Sequence, residues 1–326
     1  MAVSIAEGKQ IILDSIKTVG TERISLLDSF GRVLAEEVRA REDIPTFHRS
    51  AYDGYAVRSD DVKNATKDHP VILKVVDYVP AGSIPKREIH SGEAVRIMTG
   101  AMIPEGADAI IKQEETEFTE ETVTVFQAAE EGSHIIYAGT DLKKGTLLAE
   151  PGTKIDETLM GVLAGQNIPE PLVYKQLLVG ILVTGSELVP VGEEPGPGKI
   201  LATNPYLLTG LMQKEGFLCK FYGIVKDDLE EIKNALIKSI DECDAILITG
   251  GASAGDYDLT PKAIEEIGAE VIVRDVLMKP GKACAYGIKD DKFICGLSGK
   301  PSSAVRNLNL LGLPGLKKLS GLKEET

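Results

Sequence analysis

The strongest constraint on the fold is a regular alternation of strand-like and helix-like segments after residue 175. The segments that read as strands are 177–183, which is apolar throughout, and 218–225, 245–249 and 271–273. Helix starts lie between them at Asn204-Pro205, Asp228 and Thr260-Pro261. A run that is apolar throughout suits a strand buried on both faces, and successive crossovers share one hand. This pattern therefore predicts an α/β domain with a doubly wound, mostly parallel sheet over 173–326.

The first half of the chain has a different sequence pattern. Between residues 46 and 139, short β-rich runs are separated by glycine and proline breaks, which is typical of a small β-rich module. The segments 1–45 and 140–172 flank this module and contain helix-like and linker-like stretches. We therefore expect three parts: a helical/linker domain from these two segments, the β-rich module, and the α/β domain.

Composition narrows the class of partner and the compartment. Fifty acidic residues against 36 Lys+Arg give a formal charge of −14, which argues against nucleic acid or an anionic membrane as a partner. No signal peptide and no apolar window of transmembrane length is found in this sequence. The four cysteines lack CxxC spacing, as expected in a reducing compartment. These features predict a cytoplasmic protein.

Four loops rich in glycine, serine and lysine follow the strands of the predicted sheet. They span 184–187, 249–258, 279–282 and 297–303. Ligands of open parallel sheets bind beyond the carboxyl ends of the strands, so these loops are expected to gather at one edge. Their backbone N–H groups and the N-terminus of the last helix suit an anion, and Lys279 and Lys282 add two ammonium groups. The sequence predicts a site for a phosphate or another oxyanion.

Carboxylates accompany this anion site. Glu187, Asp256 and Asp258 lie in the same loops, and a carboxylate beside a phosphate usually implies a divalent cation between them. Taken singly, each has a simpler interpretation: Asp256 or Asp258 would cap the helix near Thr260, and Glu187 would be a solvated loop residue. The convergence of several such loops on one sheet favours the anion site.

Six motifs, in order, carry a family resemblance. They read SAYDGYAV, RIMTGAMIPEGADAII, VGILVTGSELV, ILITGGASAGDYD, MKPGK and LSGKPSSA. The chain resembles the molybdopterin molybdenumtransferases, the molybdenum insertase family that includes MoeA and the gephyrin E domain, from about residue 4 to 322. The resemblance implies a multi-domain homodimer whose α/β domain has the molybdopterin-binding fold. It also implies a Mg²⁺-dependent reaction in which adenylylated molybdopterin and molybdate give molybdenum cofactor and AMP, with molybdopterin adenylyltransferase supplying the adenylate.

The resemblance also assigns site residues by position. The family's functional polar residues match Asp53, Thr99, Asp141, Glu187, Asp227 and Asp258, of which Glu187 and Asp258 are expected to hold Mg²⁺. The substrate-binding loops match Thr184, Gly185, Ser186, Gly250, Gly251, Ser253, Gly255, Lys279, Gly281, Lys282, Ser298, Gly299, Lys300, Pro301 and Ser303. Asp53 and Thr99 fall in the β-rich module, so a two-fold dimer is expected to bring that module of one subunit against the α/β domain of the other.

The chain departs from the family pattern at several positions. Ser186 stands where an aspartate is usual, and Lys300 adds a cation to an oxyanion loop. Other departures are Arg49, Tyr52, Ala283 and Ser298. The sequence also ends near Thr326, where the family usually continues into a fourth, β-rich domain, which predicts a shortened architecture. Three functions stay open at this point: an active insertase, a paralogue that binds molybdopterin or its adenylate as carrier, scaffold or regulator, and an α/β nucleotide hydrolase.

Overall fold

A computed structural model describes residues 2–251, 259–279 and 281–323. Its helices are α1 (Ile5–Ser15), α2 (Ser59–Val62), α3 (Glu157–Gly165), α4 (Asn204–Lys214), α5 (Leu229–Glu242), α6 (Leu259–Glu266), α7 (Pro301–Asn307) and α8 (Leu313–Leu319). Short 3-10 turns cover Leu26–Asp28 and Gln113–Glu115, and a π-helical turn, Leu308–Gly312, joins α7 to α8. None of the helices in these ranges is long and apolar enough to cross a membrane.

The strands are β1 (Thr21–Arg23), β2 (Val38–Arg39), β3 (Arg49–Ser50), β4 (Gly54–Val57), β5 (Val71–Val79), β6 (Glu93–Ile97), β7 (Ala109–Lys112), β8 (Thr116–Phe118), β9 (Thr122–Val125), β10 (Ile135–Ile136), β11 (Leu147–Ala149), β12 (Leu172–Tyr174), β13 (Leu178–Thr184), β14 (Leu188–Val189), β15 (Ile200–Leu201), β16 (Leu218–Val225), β17 (Ala245–Thr249), β18 (Glu270–Arg274), β19 (Ala285–Lys289) and β20 (Lys292–Leu297).

The chain divides into two compact units. The first comprises Met1–Glu37 and Ala149–Thr326, and the second comprises Val38–Leu148. In the first unit, Ile12 and Ile16 of α1 belong to the same hydrophobic core as the central strands of the α/β sheet. The division into three domains stays a prediction.

The first unit is built on a six-stranded sheet in the order β16-β13-β17-β20-β19-β18. The pairs β16-β13, β13-β17 and β17-β20 are parallel, which confirms the predicted α/β class and mostly parallel core. The edge pairs β20-β19 and β19-β18 are antiparallel. Asp290 and Asp291 both have positive φ between β19 and β20, as a two-residue type I′ hairpin requires, so this connection cannot be a crossover.

Helices cover both faces of this sheet because alternate strand residues point to opposite sides. Val179 and Ile181 of β13 pack in a core with residues of α1, α4 and α8, whereas Leu182 packs in a second core with residues of α5 and α6. Helix α5 places Ile232, Leu236 and Ile240 four residues apart on its buried face. This rigid core fixes the ends of the central strands, where the candidate site lies.

The second unit is built on a six-stranded mixed sheet in the order β7-β4-β6-β5-β9-β8. Strands β7 and β8 lie at opposite edges of that order, yet only the turn Gln113–Glu115 separates them in sequence. The sheet therefore curls back on itself, and the rings of Tyr55 on β4 and Phe118 on β8 approach to 6.0 Å between centroids. The β-rich runs predicted between residues 46 and 139 are found here as strands.

Candidate functional site

Loops from four parallel strands converge on a cavity of about 540 Å³ at the carboxyl edge of the α/β sheet. Its lining includes Thr184, Gly185 and Glu187 after β13, Asp227 after β16, Gly250 and Gly251 after β17, and Ser298, Gly299, Lys300 and Pro301 after β20. The predicted gathering of the 184–187, 249–258 and 297–303 loops at one edge is confirmed for these residues. The loops after β13, β17 and β20 leave strands that are buried on both faces, and Asp227 follows the partly exposed edge strand β16, so the fold leaves these residues at the open end of the sheet.

Glycine is required at position 250 by close backbone contact. Gly250 has φ +100°, and a Cβ atom there would lie 2.1 Å from the carbonyl oxygen of Thr184. Its own carbonyl accepts a hydrogen bond from Thr260 Oγ1 at 2.7 Å, which ties the loop to α6. The close approach brings the ends of β13 and β17 together at the cavity.

Ser186 and Asp227 form a reciprocal clamp between the loops after β13 and β16. Asp227 Oδ2 accepts a hydrogen bond from the Ser186 N–H at 2.8 Å, and Ser186 Oγ accepts one from the Asp227 N–H at 3.2 Å. Lys199 Nζ also donates to the Ser186 carbonyl at 2.6 Å. The serine that replaces the usual aspartate thus lacks a charge but holds the neighbouring loop, and Glu187 beside it lines the cavity.

Two buried polar atoms of the lining residues have no hydrogen-bond partner in the part of the chain that the structure describes. These are Thr184 Oγ1 and Asn204 Oδ1, on residues that are 3% and 6% exposed. Asn204 Nδ2 is occupied, because it donates to the Gly299 carbonyl at 2.9 Å and to Thr249 Oγ1 at 3.2 Å. Unpaired buried polar atoms cost free energy, and at a cavity they indicate a missing ligand or water.

Asn204 is a candidate functional residue that sequence reasoning missed. The sequence offered one signal, the Asn-Pro pair, which correctly predicted a helix start but gave no hint that the side chain would hold the 299 loop. The apolar lining residues that the sequence did not predict include Leu188, Ile200, Leu201 and Leu259. Ile200 and Leu201 belong to the small parallel pair β14-β15, which short runs in sequence do not reveal.

Five predicted residues of the anion site, among them Ser186, lie outside the lining of this cavity. Lys279, Gly281 and Lys282 follow β18, and two of them contact α7: the Lys279 carbonyl accepts a hydrogen bond from Arg306 Nη1 at 3.2 Å, and the Gly281 carbonyl accepts one from Asn307 Nδ2 at 3.0 Å. Ser303 is buried inside α7. Their role in substrate binding stays a prediction.

The second unit holds the remaining predicted residues. Asp53 Oδ1 accepts hydrogen bonds from both the N–H and Oγ1 of Thr99, each at 2.7 Å. These bonds, with a smaller contribution from the charge of Arg96, lower the pKa of the Asp53 carboxyl below its ordinary value. Asp141 lies in a different turn, where its N–H donates to the Ile44 carbonyl at 2.9 Å. The structure therefore joins Asp53 and Thr99 but not Asp141.

Glu187 and Asp227 are the two carboxylates that the described residues bring to the cavity. No group of three or more histidine, cysteine, aspartate or glutamate side chains able to hold a metal ion occurs within residues 2–251, 259–279 and 281–323. Mg²⁺ at phosphate sites is usually held by one or two carboxylates together with substrate phosphates and water, so this pair fits that ion. Ser253, Gly255 and Asp258 lie outside the described residues.

Comparison with known proteins matches two successive regions of the chain. The model of the MoeA N-terminal region (domain I and II) matches residues 3–166, and that of a probable molybdopterin binding domain matches residues 180–318. A molybdopterin molybdenumtransferase of Staphylococcus epidermidis is 34% identical over 98% of this chain and 77% of its own length. One of Staphylococcus aureus is also 34% identical, over 99% of this chain and 77% of its own length.

Solved structures agree with these matches. The crystal structure of a molybdopterin biosynthesis MoeA protein from Pyrococcus horikoshii superimposes with a TM-score of 0.89, at 33% identity, over 98% of this chain and 81% of that one. A second structure of the MoeA protein from Pyrococcus horikoshii OT3 gives a TM-score of 0.83 at 34% identity, over 99% of this chain and 81% of that one. This chain therefore belongs to the molybdopterin molybdenumtransferase family, a family of transferases of molybdenum cofactor biosynthesis.

Proposed function

We propose that this chain inserts molybdate into adenylylated molybdopterin in a Mg²⁺-dependent reaction that releases AMP. Membership of the family supports the overall transfer. The single observation that carries the finer proposal is the cavity at the carboxyl edge of the α/β sheet, where two carboxylates, a lysine and the glycine-rich loops face one space. An oxyanion substrate with a charged phosphate and a flat ring matches this combination.

The two sides of the cavity suit the two ends of such a substrate. The polar side carries Ser298 and Lys300, with the loop N–H groups around Gly299, and would bind phosphate oxygens. The apolar side, formed by Leu188, Ile200 and Leu201, would pack against the flat heterocycle and exclude water from it. A substrate oriented in this way keeps its phosphate next to the carboxylates.

Glu187 and Asp227 would hold the Mg²⁺ ion, with Asp258 of the adjacent motif as a further predicted ligand. The ion would supply positive charge to the phosphoanhydride oxygens. The chain's own contribution is to keep Glu187 at the cavity: the Ser186–Asp227 clamp fixes the backbone next to it, and Lys199 donates to the carbonyl of the peptide unit that joins Ser186 to Glu187. Lys300 balances phosphate charge, so binding does not depend on the metal alone.

The same proposal includes a homodimer in the cytoplasm, fed by a molybdopterin adenylyltransferase. Asp53 and Thr99 form a polar pair on the second unit, and they match functional positions of the family. In the proposed dimer the second unit of one subunit supplies this pair to the cavity of the other.

The test is to incubate purified protein with adenylylated molybdopterin, molybdate and Mg²⁺, and to follow AMP release and cofactor formation together. We expect both products from the wild type, and a loss of at least about tenfold in AMP release for Glu187→Gln and Asp258→Asn, equivalent to ~1.4 kcal/mol in the barrier. Binding of the nucleotide-pterin should change much less, because the loop N–H groups and lysine remain.

Glu193→Gln is the matched control, since Glu193 is an exposed carboxylate in the loop between β14 and β15 and does not line the cavity. It should release AMP at the wild-type rate. If the wild type binds the nucleotide-pterin but releases no AMP, the protein is a binding protein and the proposed reaction is wrong.

A further inference from the structure

A second large cavity, of about 1200 Å³, lies at the opposite edge of the α/β sheet from the candidate site. Its walls include Leu177 and Phe217, which immediately precede the parallel strands β13 and β16. The candidate site follows the carboxyl ends of the same strands, so the two cavities share no lining residue. We call this second cavity the basic cleft; its main segments are 30–33, 152–156, 174–177, 214–217 and 313–323.

The charge of the basic cleft is opposite to that of the whole molecule. Seven lysine and arginine side chains line it against two carboxylates, Asp156 and Glu215, in a chain whose formal charge is −14. A concave surface lined by one sign of charge concentrates its field and attracts ions of the opposite sign. The candidate site does not account for this local excess of positive charge.

Some of these charges have structural partners. Arg32 Nη2 contacts Glu22 Oε1 at 2.5 Å and donates to the Tyr174 carbonyl at 2.9 Å. Lys317 Nζ lies 3.0 Å from Glu215 Oε2. Asp156 is occupied as the N-cap of α3, where it accepts the Leu159 N–H. Of the two carboxylates, Asp156 is therefore occupied by its helix, and Glu215 is paired with one lysine of the same lining.

Lys154, Lys175 and Lys214 are different. All three are exposed, and none of them forms an ion pair with a carboxylate of the described residues. Lys214 lies in the last turn of α4, where a cation is favourable in any case. Lys154 and Lys175 lie outside helices, so no helix dipole accounts for them. They leave the cleft with uncompensated positive charge.

The floor of the basic cleft is apolar. Leu177 and Phe217 are buried beneath it, and the ring of Phe30 at its rim is 63% exposed. A cationic rim over an apolar floor with an exposed ring suits a ligand that combines phosphates with a flat aromatic base. Inorganic phosphate alone would use only half of these features.

We propose that the basic cleft is a second binding site, for a nucleotide-class ligand whose phosphates contact Lys154, Lys175 and Lys214 and whose base packs against Phe30. The site is independent of the reaction proposed above, because it lies at the other edge of the sheet. Binding there involves no covalent step. Its affinity should fall as ionic strength rises, since the attracting charges are exposed to solvent.

ADP is the probe, and 8-azido-ADP photolabelling of the full chain followed by peptide mapping locates it. We expect label on peptides that contain Phe30, Lys175 or Phe217, in addition to any label on the peptide that contains Ser298 and Gly299. The triple variant Lys154→Glu, Lys175→Glu, Lys214→Glu should lower labelling of the cleft peptides and weaken that ADP site by roughly tenfold or more. Adenosine and pyrophosphate should each compete less well than ADP.

The matched control reverses three lysines of the second unit, Lys67→Glu, Lys86→Glu and Lys143→Glu, which are exposed and change the net charge equally. It should label like the wild type. Label restricted to the candidate site, or equal loss of cleft labelling in both triple variants, would overturn the proposal. Phe30→Ala tests the contact with the base separately from the contacts with the phosphates. It should weaken the binding of ADP but leave competition by pyrophosphate unchanged.

Discussion

At the scale of single residues, Asn204 holds two loops of the candidate site in place. Its amide nitrogen holds the Gly299 carbonyl and the Thr249 hydroxyl, so the loops after β17 and β20 are tied together through one buried side chain. We expect Asn204→Ala to destabilise the protein by about 1–3 kcal/mol, because the two acceptors are left unpaired. AMP release should fall by about tenfold as the 299 loop loses its position.

Urea unfolding and the AMP assay measure these two effects. Asn234→Ala is the control, since Asn234 is an exposed residue of α5. The control should match the wild type in both measurements. An Asn204→Ala variant with unchanged stability and activity would show that the amide has no role in holding the loops.

The Asp53–Thr99 pair makes a prediction about pH. Because its hydrogen bonds to Thr99 lower the Asp53 pKa below the ordinary 3.8, the ionised carboxylate contributes stability above that pH. This contribution is lost as the pH falls through the lower, folded-state pKa. Carboxyl NMR titration of Thr99→Val should show the Asp53 pKa shifted upward, toward the ordinary value. Thr99→Ser, which keeps a hydroxyl, should retain the low pKa. Thr99→Val keeps the backbone N–H, which is the larger cause, so the upward shift of its Asp53 pKa should be partial, and an unshifted pKa would contradict a contribution from the hydroxyl.

Residue roles were the hardest part to predict from sequence. The sequence predicts only the loss of a carboxylate at Ser186. In the structure its hydroxyl accepts a hydrogen bond from the Asp227 N–H, and its backbone N–H donates one to the Asp227 carboxylate. Lys279 and Lys282 were expected beside the anion, and they lie outside the cavity lining, in a loop that contacts α7. The order of strands and loops in the sequence predicts the edge of the sheet at which a loop lies. Whether that loop reaches the cavity depends on packing between elements that are distant in the sequence.

At the scale of elements, the sequence was far more informative. The predicted strands 218–225 and 245–249 coincide with β16 and β17. The central strand β17 is buried at every residue and needs continuous apolar character, whereas β16 lies at the edge of the sheet and is partly exposed, so it can also contain Lys220. The helix predicted to start at Asn204-Pro205 starts there. The antiparallel edge was not predicted, since its cause is the Asp290-Asp291 turn, where the aspartates adopt positive φ that glycine or asparagine more often supplies.

Gly54 allows a stability prediction for the second unit. A Cβ atom at this position of β4 would lie 1.9 Å from the Ile111 carbonyl oxygen of β7, so the strand pair must separate to accept it. We expect Gly54→Ala to cost roughly 2–4 kcal/mol in the free energy of unfolding. It should also disturb the neighbouring Asp53.

Chemical unfolding monitored by tyrosine fluorescence measures the effect. Gly161→Ala is the control: Gly161 lies in α3, and nothing lies within 4 Å of a Cβ atom placed there. Alanine should stabilise that helix slightly, by up to about 1 kcal/mol. Equal stability of the two variants would show that β4 and β7 adjust without cost.

At the scale of the whole molecule, the family resemblance rests on six motifs that occur in order along the chain. Asp53 and Thr99 come from motifs of the second unit, and Glu187 and Lys300 from motifs of the first, so the family pattern spans both units. Asp53 Oδ1 is engaged by Thr99 within the second unit, and Glu187 lines an open cavity in the first. In the proposed dimer, the Asp53–Thr99 pair of one subunit and the cavity that Glu187 lines in the other would form one reaction site.

Subunit complementation tests this dimer directly. Asp53→Asn and Glu187→Gln each remove one half of the proposed composite site, so each pure variant should release little AMP. If the site combines Asp53 of one subunit with Glu187 of the other, a heterodimer of the two variants contains one intact site out of two. Random exchange in an equal mixture makes half of the dimers mixed, so about a quarter of the wild-type activity should return.

Two control measurements accompany the complementation experiment. Light scattering should give twice the 35.0 kDa chain mass for the wild type and for both variants, because neither substitution removes an apolar contact. Mixing Glu187→Gln with Asp227→Asn, whose residues line the same cavity, should restore nothing when both belong to one subunit's half of the site. A monomeric mass, or no recovery in the Asp53→Asn and Glu187→Gln mixture after confirmed subunit exchange, would place Asp53 outside the reaction site of the partner.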